Sequence, residues 1–295
     1  MVNAEKSPVA PAQLLAQLIV GIGGGMVLFL MAAGVSIIVS GMNIINFVQG
    51  AFFMLGALLC FTLAQILNFW WALLLGPLVV ACLGVLAEFL LRPLYSKSIL
   101  YQLLVTMGLA FLIIDGMDTI WGREIKVVSL PDYLNTTTPV FGIDFPVYYI
   151  FIIAVSGLIA LGLWLMFEKT RLGMVFRAIV NNRPMVGCLG INVTLLFTLM
   201  FAFGVWLSGV AGVLMAPIIG IDPESSMSML FSMMIVLVIG GLKSMKGAFF
   251  SALTVGMVNA VGSLFLPWFY ALIPAALMIV VLIVKPQGLF GKREG

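Results

Sequence analysis

Few residues in this chain could do covalent chemistry, and their spacing argues against it. There is no histidine, which removes both a Ser–His nucleophile pair and the HExxH zinc motif. Asp115 and Asp118 stand about one helical turn apart with no partner acid motif, poor material for an aspartyl protease. They read either as the lining of an outer funnel or as side chains reaching toward water from the end of an apolar run. Glu88 and Arg92 have the i, i+4 spacing of an ion pair on one helix face, which accounts for both without a reaction. Cys60, Cys82 and Cys188 lack metal-ligand spacing, and the first two lie within apolar runs as small hydrophobes with free thiols. No GxxxxGK[ST] cradle for a nucleotide phosphate occurs. The sequence thus offers no catalytic residue and no metal site.

What polar chemistry exists is concentrated in three places. The first is Gly41 to Gly50, where Asn43, Asn46 and Gln49 interrupt apolar sequence. The second is Ala216 to Pro223, with Pro217 and Asp222. Broken helices are tolerated in a membrane where they are buried or line a cavity. Paired interruptions in oppositely oriented halves mark an inverted repeat with substrate passing between. That makes Asn46, Gln49, Gly50, Asp222 and Pro223 candidate pathway residues; two ordinary helix–helix turns would look the same. The third place is Glu168 to Val193, where Lys169, Arg171, Arg177 and Arg183 face one acid. Phe176, Ile179 and Val180 share a face there, and Arg177 and Asn181 take another, the pattern of a short amphipathic helix at a membrane surface. Pro184 breaks or restarts that helix, and Gly187 and Gly190 offer stops. The stretch reads as a docking handle for another protein or as a basic loop that fixes orientation.

These features must be held by elements in lipid. The 295 residues are 63% apolar and 8% charged, against about 45–50% and about 25% in ordinary proteins. Apolar runs fall at about 14–40, 45–67, 71–91, 100–121, 147–167, 194–216, 226–242, 248–266 and 268–284. A crossing needs about 20 such residues, so the sequence predicts an all-α polytopic membrane protein of eight or nine transmembrane helices, one domain over 1–295. The first two runs blur at Gly41–Gly50. The N-terminal segment, with Glu5, Pro8 and Pro11, lacks the basic start of a signal peptide and reads as a tail before a retained span. Lys and Arg collect in the loops of Arg92 and Lys97, of Lys243 and Lys246, and in the tail of Lys285, Lys292 and Arg293. Cytoplasmic loops carry that excess, so the C-terminus is expected inside. Nine spans put the N-terminus outside; eight put it inside. The 122–146 loop falls outside, as an ordered cap or a flexible loop. Gly204, Ser208, Gly212 and Ala216, and likewise Ala248, Ala252, Gly256 and Ala260, form small-residue stripes suited to close helix packing.

At three stretches the chain resembles the permease family of branched-chain amino acid ABC transporters, LivH type. Ile45 to Ala57 is similar to the family's INxAHGxxxxxGA, Arg171 to Asn192 to RxGxxxRAxxxNxxxAxxxGIN, and Val238 to Ala248 contains a turn similar to GGxGSxxGA. Glu88 with Arg92-Pro93 matches E-x3-RP. The chain departs from the pattern at Gln49, where the family has histidine, at Ala51, where it has an acid, and at Lys246, commonly proline. Histidine titrates near neutral pH and glutamine does not, so a protonation role is absent at that break.

The resemblance implies a transport role. Two such permeases form the path, this chain with a longer LivM-like subunit or a second copy. Two ATPase subunits, which hold ATP and magnesium, dock on the cytoplasmic face, and a periplasmic substrate-binding protein delivers cargo. The stretch 171–192 becomes the coupling helix, with Arg171, Arg177, Asn181, Asn182, Arg183, Gly187 and Gly190 its ATPase-facing residues. The permease itself binds no cofactor and is not an enzyme; its partners are proteins and the lipid of a bacterial inner membrane, not nucleic acid. The family's cargoes include branched-chain amino acids, urea or amides, and organic acids. A stand-alone secondary transporter or channel is the alternative, although such carriers usually place ionisable residues deep in their spans.

Overall fold

The computed structural model describes residues 11–95, 97–140, 143–265, 268–269 and 272–291. The N-terminal tail with Glu5 and Pro8, and Lys292, Arg293 and Glu294 of the basic tail, lie outside the described residues.

The apolar runs fold as helices because lipid leaves a backbone no partner but itself. In chain order they are α1 (Pro11–Met42), α2 (Gln49–Ile66), α3 (Phe69–Leu91), α4 (Ile99–Trp121), α5 (Val147–Lys169), α6 (Arg171–Asn181), α7 (Arg183–Cys188), α8 (Val193–Met215), α9 (Ser225–Gly240), α10 (Met245–Phe265) and α11 (Ile273–Val284). A 3-10 turn, Arg92–Leu94, follows α3. Among the described residues seven helices are long and apolar enough to cross a membrane, and α9 and α11 are shorter apolar helices. The loop between α4 and α5 is partly ordered. Its strands β1 (Thr137–Val140) and β2 (Ile143–Pro146) pair antiparallel, with Thr137 opposite Pro146.

Helix α1 is the axle. Of the residues in its most apolar stretch 83% are buried, against 17% for α5. It packs on α8, α10, α9 and α5. Close approach to α8 depends on two glycines: a Cβ on Gly34 would lie 2.4 Å from the Gly204 carbonyl oxygen, and one on Gly204 would lie 2.7 Å from that of Gly34. Small residues permit such contact, and dispersion between the backbones then holds it. Both predicted small-residue stripes serve as packing seams, the second with Ala252 against Gly25 and Gly256 against Gly21.

These contacts also fix direction. Gly41 sits beside Met200 and Gly34 beside Gly204, while Met215 lies near residues 20–28, so α1 and α8 are antiparallel. Gly21 faces Met257 and Gly25 faces Leu253, so α1 and α10 are antiparallel too. Helices α8 and α10 therefore run the same way, and α9 returns the chain between them despite its 16 residues. Exchanging α1 with α8, α2 with α9, α3 with α10 and α4 with α11 preserves the packing pattern. Thus α3 lies on α8 as α10 lies on α1, and α2 meets α3 and α4 as α9 meets α10 and α11. Two halves of opposite direction with interchangeable neighbours constitute the inverted repeat expected from the paired breaks.

The charged loops sort by end. Lys243, Lys246 and Arg177 line one cavity, and residues 285–291 close on the same junction through Leu289 N donating to Ile239 O at 2.8 Å. Arg183 and Tyr95 both lie against the Phe197 ring, which brings the Arg92 turn to that end. At the other end, Lys126 of the 122–146 loop forms an antiparallel bridge with Ile221 of the second break.

Candidate functional site: two helix breaks and a basic elbow

The break between α1 and α2 spans residues 43–48. Asn43 adopts φ 58, the left-handed turn that ends α1. Asn46 Oδ1 then accepts from Val48 N at 3.0 Å, closing an Asx turn in front of α2. Asn46 Nδ2 donates to Gln49 Oε1 at 3.2 Å. Gln49 Nε2 donates to Gly204 O at 2.7 Å and Ser208 Oγ at 2.6 Å, so it latches the start of α2 to α8. Both side chains are 0% exposed. Asn46 and Gln49, expected to dress a path, spend their donors on this chain.

The break between α8 and α9 repeats the first half of that design. Asp222 Oδ1 accepts from Glu224 N at 3.2 Å, again two residues on, and Ser225 Oγ reaches Asp222 Oδ2 at 3.4 Å, again three residues on. Pro223 is buried and its carbonyl accepts from Ser226 Oγ at 2.5 Å. Asp222 is half-buried and Glu224 exposed. The two breaks meet: a Cβ on Gly50 would lie 2.4 Å from the Ser226 carbonyl oxygen and 2.8 Å from Leu230 Cβ, so the starts of α2 and α9 touch.

Below the first break stands the basic elbow. Thr170 Oγ1 accepts from Gly173 N at 3.3 Å and caps α6, and Asn182 Oδ1 accepts from Met185 N at 3.2 Å and caps α7. Pro184 sits in the first turn of α7, so it restarts the chain rather than only breaking it. Gly187 lies inside α7, and the stop is Gly190 at φ 78. Ile179 and Val186 are buried, while Arg171, Leu172, Met174, Asn181 and Asn182 are exposed. Arg177 donates to the Phe167 carbonyl at the end of α5. Arg183 Nη2 donates to Gly41 O at 3.0 Å and its guanidinium lies 5.3 Å from the Phe197 ring centroid. The elbow is thereby wired to the end of α1, just ahead of the first break.

One polar cluster had only half its members visible in sequence. Glu88 is 0% exposed and accepts from Arg92 Nε at 3.0 Å and 3.1 Å, from Thr198 Oγ1 at 3.0 Å and from the Tyr95 hydroxyl. Arg92 also donates to Thr198 Oγ1 at 2.9 Å. Burial, reinforced by the Glu88 hydrogen bond, keeps the Tyr95 phenol well above its ordinary pKa, so it remains a donor. The i, i+4 ion pair is present, with Thr198 and Tyr95 completing it across 110 and 7 residues. Nothing in their local sequence marks those two. Asp118 pairs with Arg123 at 3.2 Å, and Thr119 Oγ1 donates to the Asp115 carbonyl at 2.9 Å.

No described group of His, Cys, Asp or Glu residues could hold a metal ion. Helices long and apolar enough to cross a membrane, two breaks facing one another in an inverted repeat and an exposed basic elbow are the architecture of a polytopic membrane protein. The family described as branched-chain amino acid transport system / permease component matches residues 18–282, and the chain belongs to it. It is similar to the high-affinity branched-chain amino acid transport system permease protein LivH of Escherichia coli K12, 26% identical with 95% of this chain and 96% of the relative covered. BraD of Pseudomonas aeruginosa is similar at 26% identity over the same shares. A probable LivH of Methanocaldococcus jannaschii is 27% identical, with 90% and 88% covered. Among solved structures, PsaBC from Streptococcus pneumoniae in complex with Fab matches at TM-score 0.48 and 13% identity over 91% of each chain.

Proposed function

We propose that this chain is the passive membrane half of an ATP-driven importer in a bacterial inner membrane, moving branched-chain amino acids or a related small amphipathic solute. The observation that carries it is the elbow. Exposed Arg171, Leu172, Met174, Asn181 and Asn182 present a mixed basic and apolar face, while Arg183 ties that face to Gly41. An ATPase subunit gripping the elbow would move the end of α1 directly. The collection of basic side chains at the elbow's end supports a cytoplasmic side for that end and for the C-terminus. Two ATPase subunits supply ATP hydrolysis with magnesium, a second permease completes the path and a periplasmic binding protein delivers cargo. The path passes the two breaks. Asn46, Gln49 and Gly50 set the shape of one, Asp222 and Pro223 that of the other.

The test is co-purification and ATP-driven leucine uptake in the reconstituted complex carrying Arg171→Glu with Leu172→Asp. Loss of both is expected. Unchanged assembly and uptake, or uptake by the isolated subunit under an ion gradient alone, would overturn the reading.

A further inference from the structure

A slot of about 710 Å³ opens between α1, α5, α6 and α10 at the elbow's end. On α1 its wall runs from Met26 to Ser40, about 21 Å at the helical rise of about 1.5 Å per residue. That is more than the depth of one leaflet's hydrocarbon, half of a core about 30 Å thick. The part of the slot farthest from the elbow is apolar, with Met26, Phe29, Ala160, Leu161 and Phe249. Leu161 and Trp164 of α5 and Phe250 of α10 line it and stay exposed. Only 17% of the most apolar stretch of α5 is buried, so the slot is open sideways along that helix, at the depth of lipid acyl chains.

The mouth of the slot is charged. Arg177 of α6 and Lys243 and Lys246 at the start of α10 line it together with one acid, Glu168. All four are exposed, and neither Glu168 nor Lys246 forms an ion pair among the described residues. Ser36, Ser40 and Ser244 add hydroxyls to the lining. Lys246 lies in the first turn of α10, where the helix dipole disfavours a cation. Arg177 gives one donor to the Phe167 carbonyl, and a guanidinium has five N–H groups. An anion at the mouth offsets this excess of positive charge, and an anion with an apolar tail also fills the slot beneath it. Basic pockets between helices on the cytoplasmic side of a membrane hold lipid headgroups by this pairing.

We propose that this slot holds an anionic phospholipid of the cytoplasmic leaflet, one acyl chain lying along α1 between α5 and α10 and the phosphate meeting Arg177 and Lys246. The choice of leaflet rests on the importer reading above; the lipid itself is a partner that reading does not contain. Phe176 of the elbow also lines the slot and lies near Gly41, the residue whose carbonyl Arg183 holds. A lipid seated there braces α6 against α1 and α10, so the charge of the membrane sets how firmly the elbow is held.

The test uses the full-length permease with its bound partners in phosphatidylcholine proteoliposomes. Trp164 lines the slot and serves as reporter, its fluorescence isolated by subtracting that of the Trp164→Phe variant. The probes are phosphatidylglycerol and phosphatidylcholine with brominated acyl chains, which quench an indole they touch, each added as the same minor fraction. Phosphatidylglycerol is expected to quench Trp164 several-fold more than phosphatidylcholine. Lys246→Gln is expected to remove most of that preference, about fivefold for one basic side chain. Ala160→Phe, which fills the apolar part and leaves the charged mouth intact, is expected to remove it as well. Equal quenching by the two probes, a preference that survives either variant, or no quenching of Trp164, as when a protein partner covers the slot, would overturn the site. ATP-driven leucine uptake by the same vesicles separates the two readings. Uptake without the preference sinks the lipid site alone, whereas the preference without uptake supports the lipid site and sinks the importer reading.

Discussion

The two breaks begin alike and end differently. Each opens with an Asx turn, Asn46 to Val48 and Asp222 to Glu224, and each precedes a helix whose first turn touches the other. The first is dry and latched: Gln49 joins α2 to two groups of α8. The second has an acid where the first has an amide, is half open to water, and is held by the backbone bridge between Ile221 and Lys126. Their attachments point to opposite ends of the molecule. The first break is tied through Gly41 to Arg183 of the elbow, and the second to the 122–146 loop. Of the two matching breaks, one is thus joined to the basic elbow and the other to an ordered loop and to solvent.

The sharpest way to break this comparison is at the point both share. Gly50→Leu would drive a side chain into the Ser226 carbonyl. Backbone there cannot swing aside as a flexible side chain could, so a loss of more than about 3 kcal/mol is expected, read as failure to purify a folded monodisperse permease. Gln49→Leu comes next. It strands Asn46 Nδ2 and the Ser208 hydroxyl in a buried setting, an expected cost of about 2–3 kcal/mol, measured as a fall in thermal midpoint in detergent. Ser208→Ala in that background should add little, because both changes remove the same bond; full additivity in a double-mutant cycle would show that the latch is not formed. Asp222→Ala, at the wetter break, should cost only about 0.5–1.5 kcal/mol, since water can replace the lost acceptor. If Asp222→Ala proved as damaging as Gln49→Leu, the contrast between a dry and a wet break would fail.

Much of this was legible in sequence because lipid simplifies the reading. Apolar runs located the helices to within a few residues; the largest differences lie at the start of α11, expected at 268 and found at Ile273, and at the first break. The run expected at 45–67 begins its helix at Gln49 because Asn46 and Val48 prefer the Asx turn. The amphipathic period of 171–181 placed α6, and the small-residue stripes marked seams of close helix packing, on α1 and α2 for the first and on α1 for the second. Long-range partners were not legible. Nothing near residue 49 says that its amide will find Ser208, nor near Glu88 that Thr198 will complete its shell, since these pairings are set by helix packing.

The link between elbow and first break is tested most directly by Arg183→Met. That change keeps an apolar stem against Phe197 while removing the donor to Gly41 O. ATP hydrolysis and leucine uptake should be measured together on the reconstituted complex. Assembly and hydrolysis are expected to persist while uptake per ATP falls about tenfold, the equivalent of roughly 1.4 kcal/mol of lost coupling. Uptake per ATP equal to that of the unmutated complex would contradict the link.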